Sequence, residues 1–167
     1  ANESALYISD DYEVTDMLKI NLGGRFTTFQ QLDEGYYMYD GKHIQYQNFE
    51  PRFSARLKLN TTSSFKTSYS ENYQYVHLAS MGGMSLPTDL WLPSSDIIKP
   101  KHAAQYTAGY FKNFENNMFE TSVEVYYKEM TNLVEYKEGS VPEDNANESQ
   151  DELLTQGDGN SYGVELF

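Results

Sequence analysis

The hairpin-like stretch from Ala103 to Val134 constrains the fold of this chain more than any other feature. Its second arm alternates between two sets of side chains: Phe119, Thr121, Val123, Val125 and Tyr127 on one face, and Glu120, Ser122, Glu124, Tyr126 and Lys128 on the other. A period of two indicates a β-strand whose faces meet different environments. The polar turn at 115–117 predicts a hairpin. Both arms exceed the roughly 9–11 residues that a tilted membrane-barrel strand needs, although a long soluble sheet could show the same pattern.

Short and long connections alternate along the rest of the chain. Short turns are predicted near residues 14–17, 60–63 and 115–117, and long loops at about 30–48, 78–101 and 137–160. Outer-membrane barrels have this arrangement, because tight turns form one rim and long loops the other. Each apolar strand face is also matched by a polar face, as a wall between lipid and a polar lumen requires. The sequence therefore predicts an all-β, antiparallel up-and-down meander of about seven strands, part of a transmembrane β-barrel.

Composition excludes several classes of protein. The net charge of -13, with only 12 Lys and Arg in 167 residues, argues against nucleic-acid binding. No apolar stretch approaches 18 residues, so a membrane helix is not expected. The absence of Cys removes disulfide and thiolate chemistry.

The two ends of the sequence predict a piece of a longer protein. Ala1-Asn2-Glu3-Ser4 lacks the basic start and apolar run of a signal peptide. The last residues, 161–167, alternate like the start of another strand. We therefore expect residues 1–167 to be a single β-barrel segment, whose unpaired edges would make the isolated fragment self-associate.

Catalytic and metal chemistry have weak support. The three histidines, His43, His77 and His102, lie in or beside predicted loops without metal-ligand spacing. Glu120 and Glu124 share a strand face, but a polar lumen explains them better than glycoside hydrolysis. The acidic segment 137–158 lacks the residue order of a known calcium loop. We expect no catalytic residue, no metal and no cofactor.

Aromatic residues in the predicted loops have two interpretations. Tyr73, Tyr75 and Trp91 could belong to an aromatic belt at a membrane surface, or could form a platform for a ligand. Trp91 lies between Pro87 and Pro93, which would fix its position. We predict ligand binding by Trp91, Tyr73, Tyr75 and Asp89.

Several motifs resemble the barrel of TonB-dependent outer-membrane receptors. They are Gly24–Phe26, Phe65–Ser70, Leu86–Pro93, Ile97–Pro100, Gln105–Phe111 and Asp158–Glu165. The resemblance implies a barrel of about 22 strands with a plugged lumen, in the outer membrane of a bacterial cell. It also implies import of a small molecule or oligosaccharide, such as a siderophore or vitamin, with membrane lipid and a TonB-type energy-coupling protein as partners. Neither a plug nor a coupling segment is recognisable in this sequence.

Two other interpretations remain open from the sequence. A soluble, secreted β-sandwich could bind carbohydrate through its Tyr and Trp residues. A β-sheet hydrolase could use Glu120 or Glu124. A barrel wall requires detergent in solution, whereas a sandwich is monomeric in plain buffer.

Overall fold

Nine strands lie in the part of the chain that the computed structural model describes, residues 1–31, 44–79, 90–115, 118–138 and 153–167. They are β1 (Asn2–Glu13), β2 (Leu18–Gln31), β3 (Ile44–Lys58), β4 (Ser63–Gln74), β5 (Val76–Ala79), β6 (Leu90–Pro93), β7 (Lys101–Phe114), β8 (Phe119–Tyr136) and β9 (Leu154–Leu166). Among these residues, no helix is long and apolar enough to cross a membrane.

The seven long strands form one antiparallel sheet in the order β1-β2-β3-β4-β7-β8-β9. The short strands β5 and β6 pair with each other and form a hairpin inserted between β4 and β7. This order confirms the predicted meander. A β-sandwich would need a second sheet packed on the first, so the soluble-sandwich alternative does not describe this fold.

The sheet has a short-turn end and a long-connection end. Residues 14–17, 59–62 and 115–118 join neighbouring strands at the short-turn end. The strand ends that flank the three longer connections all lie at the other end. The short turns therefore share one end of the sheet, as an up-and-down meander requires.

Each long strand separates an apolar face from a polar face. On β8 the apolar face carries Val123 and Val125, both 46% exposed, whereas Glu124 between them is half-buried on the polar face. On β3 the apolar face carries Phe53 and Leu57. In a water-soluble protein the apolar face would be the covered one. The exposure pattern is instead that of a wall that meets lipid on its apolar face.

A row of tyrosines crosses the apolar face of four neighbouring strands. Its members are direct partners in the register: Tyr69, Tyr106, Tyr127 and Tyr162. The Tyr127 hydroxyl donates a hydrogen bond to Oε1 of Glu129 at 3.2 Å, and the Tyr69 hydroxyl donates to Glu71. Both carboxylates lie nearer the long-connection end. An amphipathic ring whose polar tip points toward charged groups is typical of a membrane–water interface. The row of tyrosines therefore has the character of an aromatic belt. It is formed by strand residues, whereas the sequence analysis expected such a belt among loop residues.

Several strands extend into the loops that the sequence predicts. β5 and β6 occupy parts of the expected loop 78–101, β3 begins at Ile44 within the expected loop 30–48, and β9 begins at Leu154 within the expected loop 137–160. β8 extends to Tyr136 through a register irregularity between Met130 and Leu133, and Asn132 there has a positive φ of 58°. Such a bulge accommodates one extra residue without ending the pairing. The loops predicted at 30–48 and 137–160 lie partly outside the described residues.

Candidate functional site

Tyr75 anchors the chain between β4 and β5 against the polar face of the sheet. Its ring stacks on that of Phe29, with centroids 5.1 Å apart and planes 6° apart. Its hydroxyl donates a 2.9 Å hydrogen bond to Oδ1 of Asn48. Tyr75 is only 2% exposed, and burial together with the nearby carboxylate of Glu50 raises the pKa of its phenol. The inserted hairpin is thus held at its base on β2 and β3.

A buried polar ladder lies close to this anchor. Thr27 is fully buried and donates a 3.0 Å hydrogen bond to Oε1 of Glu50, which is 4% exposed. Nε of Arg25 donates to Oγ1 of Thr27 at 3.2 Å, and the Arg25 guanidinium reaches Glu3 at 3.4 Å. The hydrogen bond from Thr27 satisfies one oxygen of the buried Glu50 side chain. The ladder joins β1, β2 and β3 where the hairpin rests on them.

The buried face of the β5–β6 hairpin carries His77. Its side chain is 0% exposed, and Nε2 lies 2.8 Å from Oγ of Ser94. Among the described residues, Nδ1 has no hydrogen-bond partner. Burial, and secondarily the positive charge of Lys101, lower the pKa of His77 to about 4. The imidazole is therefore neutral at pH 7.

The opposite face of the same hairpin carries Trp91. This residue pairs with Leu78 in the register, and 62% of its surface is exposed. Val76 is 36% exposed, and Ile97 farther along the connection is 48% exposed. An exposed indole on a well-anchored hairpin offers a rigid, flat surface for a ligand with an apolar or ring-shaped face.

The segment after β6 fixes the other side of the hairpin. The backbone N–H of Ser95 donates to the carbonyl of Ile98 at 2.8 Å, and the Tyr46 hydroxyl donates to the carbonyl of Ser95 at 2.5 Å. Ile98 belongs to a small apolar cluster, joined by Ala79, Leu92 and Leu154 and flanked by Val134 and Tyr136. The amide of Gln156 forms two hydrogen bonds with the backbone of Lys99. Contacts from β3 through Tyr46 and from β9 through Gln156 therefore hold the hairpin from two sides.

The described residues among the four that were predicted to bind a ligand lie in different environments. Trp91 is available at the surface, whereas Tyr75 is buried and its hydroxyl is already hydrogen-bonded. Tyr73 packs on His102, with ring centroids 4.6 Å apart. Asp89 lies outside the described residues. No pattern in the sequence indicates the roles of Thr27, Glu50 and His77, because single polar residues in alternating strands have no recognisable spacing.

The histidines occupy unrelated environments where they are described. His77 is buried beside Ser94, and Nε2 of His102 lies 3.0 Å from Oε2 of Glu71. His43 lies outside the described residues. Within the described ranges, no group of three or more His, Asp or Glu side chains could hold a metal ion.

Comparison with known proteins identifies the family of the chain and a solved structure of similar fold. The whole chain, residues 1–167, matches the family described as TonB dependent receptor-like, β-barrel. The fold is similar to that of FauA, the alcaligin outer-membrane receptor of Bordetella pertussis, with a TM-score of 0.62 and 17% sequence identity. The similarity covers 98% of this chain and 26% of the FauA chain. No curated protein sequence matches the chain.

Proposed function

Because this chain belongs to the TonB-dependent receptor-like β-barrel family of bacterial outer-membrane transport receptors, we propose that it forms the wall and external loops through which a scarce nutrient is imported. The nutrient is a small molecule or oligosaccharide, of the kind of a siderophore or vitamin. The three long connections, at about 30–48, 78–101 and 137–160, lie on the external side. Residues 1–167 act as one barrel segment without catalysis or a cofactor.

The anchored β5–β6 hairpin carries this proposal. Its buried face is fixed through Tyr75 and His77, while its free face presents Trp91 at the long-connection end. A rigid aromatic side chain at the mouth of a barrel loses little conformational freedom when a ligand binds. We assign ligand contact to Trp91, with Tyr73 and Asp89 as further candidates. Tyr75 has no free surface, so its role is to position the hairpin.

Energy for import comes from a TonB-type coupling protein. That partner would bind parts of the receptor other than this stretch of wall. The 26% coverage of FauA leaves most of a receptor of that length available for such contacts. Membrane lipid surrounds the apolar face.

Replacement of Trp91 tests the proposed site. In the whole receptor, Trp91→Ala should weaken binding of the natural substrate about tenfold or more, since a well-packed aromatic anchor contributes on the order of 2 kcal/mol. The amount of heat-resistant barrel in the membrane should not change, because 62% of the side chain is exposed. Ile97→Ala, at another exposed position of the same connection, is the matched control. Unchanged uptake of every substrate by Trp91→Ala would show that the indole is only a packing residue.

A further inference from the structure

Two neighbouring tyrosines of the row on the apolar face are in ring contact. Tyr69 on β4 and Tyr106 on β7 are direct partners in the register. Their ring centroids lie 4.8 Å apart, and the ring planes are inclined by 41°. Aromatic rings at this spacing touch through their edges and faces. Ring carbons of one phenol therefore lie against ring carbons of the other.

Tyr69 also has a proton acceptor in place. Its hydroxyl donates a hydrogen bond to Oε1 of Glu71, and Oε2 of the same carboxylate lies 3.0 Å from Nε2 of His102. The side chains of Glu71 and His102 are only 23% and 24% exposed, so little water competes for these contacts. A phenol loses an electron more readily when its proton can pass to a hydrogen-bonded base in the same step, because an oxidised phenol is a strong acid. The contact between Tyr69 and Glu71 satisfies the geometry for that transfer.

The surroundings of the pair leave it open to a small oxidant. Tyr106 is 47% exposed on the apolar face, and the row has the character of an interfacial belt. An uncharged oxidant that enters the membrane can therefore reach the rings. The two strands are also those between which the β5–β6 hairpin is inserted.

We propose that Tyr69 and Tyr106 form an oxidative modification site, at which a carbon–carbon bond between the two rings joins β4 to β7. A one-electron oxidant, of the class of nitrogen dioxide, takes an electron from Tyr69 while the phenolic proton passes to Glu71. A second oxidant molecule takes an electron from Tyr106, and the proton passes to interfacial water. The two radicals couple through the ring carbons next to the oxygens, and the hydrogens on those carbons move to the oxygens. Two oxidant molecules are reduced, and the protein loses two hydrogen atoms.

The bond would close a loop that contains the whole inserted hairpin. A covalent link between distant residues restricts the unfolded chain and so favours the folded one. Here it would keep the strands on either side of the hairpin paired after oxidation. This site is independent of the imported nutrient and of Trp91.

Peroxynitrite, which releases nitrogen dioxide, tests the site in the full-length receptor in detergent. Mass spectrometry of the digested receptor should identify a peptide pair linked at Tyr69 and Tyr106 and lighter by two hydrogen atoms than the separate peptides. Tyr69→Phe and Tyr106→Phe should each lose this product. Tyr127→Phe is the matched control. Tyr127 lies on the other side of Tyr106 in the row and is bonded to Glu129, but among the described side chains the two rings are not in contact, so the yield should stay unchanged.

Replacement of the proton acceptor tests the first step separately. Glu71→Gln still accepts a hydrogen bond but not a proton at neutral pH, so the product should form on the order of a hundredfold more slowly, near the lower end of what a positioned base contributes. Heat-resistant migration before oxidation shows that each variant is folded.

Two other products would overturn the proposal. They are nitration of Tyr69 and Tyr106 without a crosslink, and crosslinks that join different receptor molecules instead of the two rings. An equal loss of product in Tyr127→Phe, or an unchanged rate in Glu71→Gln, would also contradict it. None of these readouts involves uptake, so a failed Trp91→Ala experiment would count against the proposed function alone.

Discussion

Two glycines allow aromatic rings to lie flat against the sheet. A Cβ atom at position 24 would lie 2.6 Å from the ring of Phe49, and one at position 163 would lie 2.8 Å from the ring of Tyr126. Ring-over-glycine pairs cover exposed backbone and help to fix strand register. A side chain at either glycine would displace the ring that covers it.

Gly24→Ala should therefore destabilise the folded receptor by about 1 kcal/mol, the low end of the cost of overpacking. The shift would be measured as a lower urea midpoint for loss of heat-resistant migration. Gly157→Ala is the matched control, because nothing lies within 4 Å of a Cβ atom there. Equal midpoints for the two variants would mean that the Phe49 ring moves aside without cost.

Among the elements, the β5–β6 hairpin should respond to acid through His77. The pKa of this histidine is lowered from 6.5 to about 4 in the docked hairpin, mainly by burial. Once released, the side chain takes up a proton near pH 6.5, so docking is strongest above that pH and weakens as pH falls toward 4. The loss would approach about 3 kcal/mol. The protection factors of the amides in Val76–Ala79, in which the pH dependence of the intrinsic exchange rate is divided out, should fall over this interval.

A variant without the titrating imidazole distinguishes protonation of His77 from non-specific destabilisation of the receptor by acid. His77→Gln keeps a neutral side chain that can hydrogen-bond to Ser94, so the pH dependence of the protection factors between 6.5 and 4 should disappear. Lys101 is the charged group that acts on His77, and it stays protonated throughout this interval. If the pH profile of His77→Gln matches that of the unaltered receptor, another group controls docking.

The long strands were predictable because one face of each strand meets lipid and the other meets the polar lumen, so apolar and polar side chains alternate along the sequence. Leu18, Ile20 and Leu22 face one way, and every second residue between them faces the other, so the period is visible without any partner strand. β5 and β6 were not predictable, since four residues are too few to show a period. Gly157 and Gly159 have the local propensity of turn residues, but they lie in β9 because β8 pairs with them. There, tertiary pairing overrides local propensity.

The candidate site was predictable only where a residue is conspicuous in the sequence. Trp91 stands between prolines, and the structure places it at the surface. Tyr75 looked like a ligand contact because the sequence does not show that Phe29 and Asn48, both distant in the chain, enclose it. The pairing of Arg56 with Lys66 could not be predicted for the same reason, because the two become neighbours only through the register of β3 and β4.

At the scale of the whole molecule, the two faces of the sheet should tolerate different substitutions. Val125 lies in mid-strand on the apolar face, and Glu124 on the polar face. Arginine on the lipid side near the bilayer midplane costs about 2–4 kcal/mol, whereas lumen positions accept charge. Val125→Arg should therefore sharply reduce the amount of folded barrel in the membrane, and Glu124→Arg should leave it nearly normal. Equal yields of the two variants would contradict the assignment of faces.

Labelling of single cysteines tests the same assignment directly, since this stretch of chain has no cysteine of its own. Val125→Cys should react with a lipid-soluble thiol reagent and resist a charged, membrane-impermeant one, because lipid covers the apolar face. Lys128→Cys, on the polar face and closer to the long-connection end, should show the opposite preference, because water reaches the lumen from that end. Both positions lie in β8, three residues or about 10 Å apart along the strand, so one strand is tested on both of its faces. Reaction of position 125 with the charged reagent would show that water reaches the apolar face. That result would contradict the assignment of this sheet as a barrel wall.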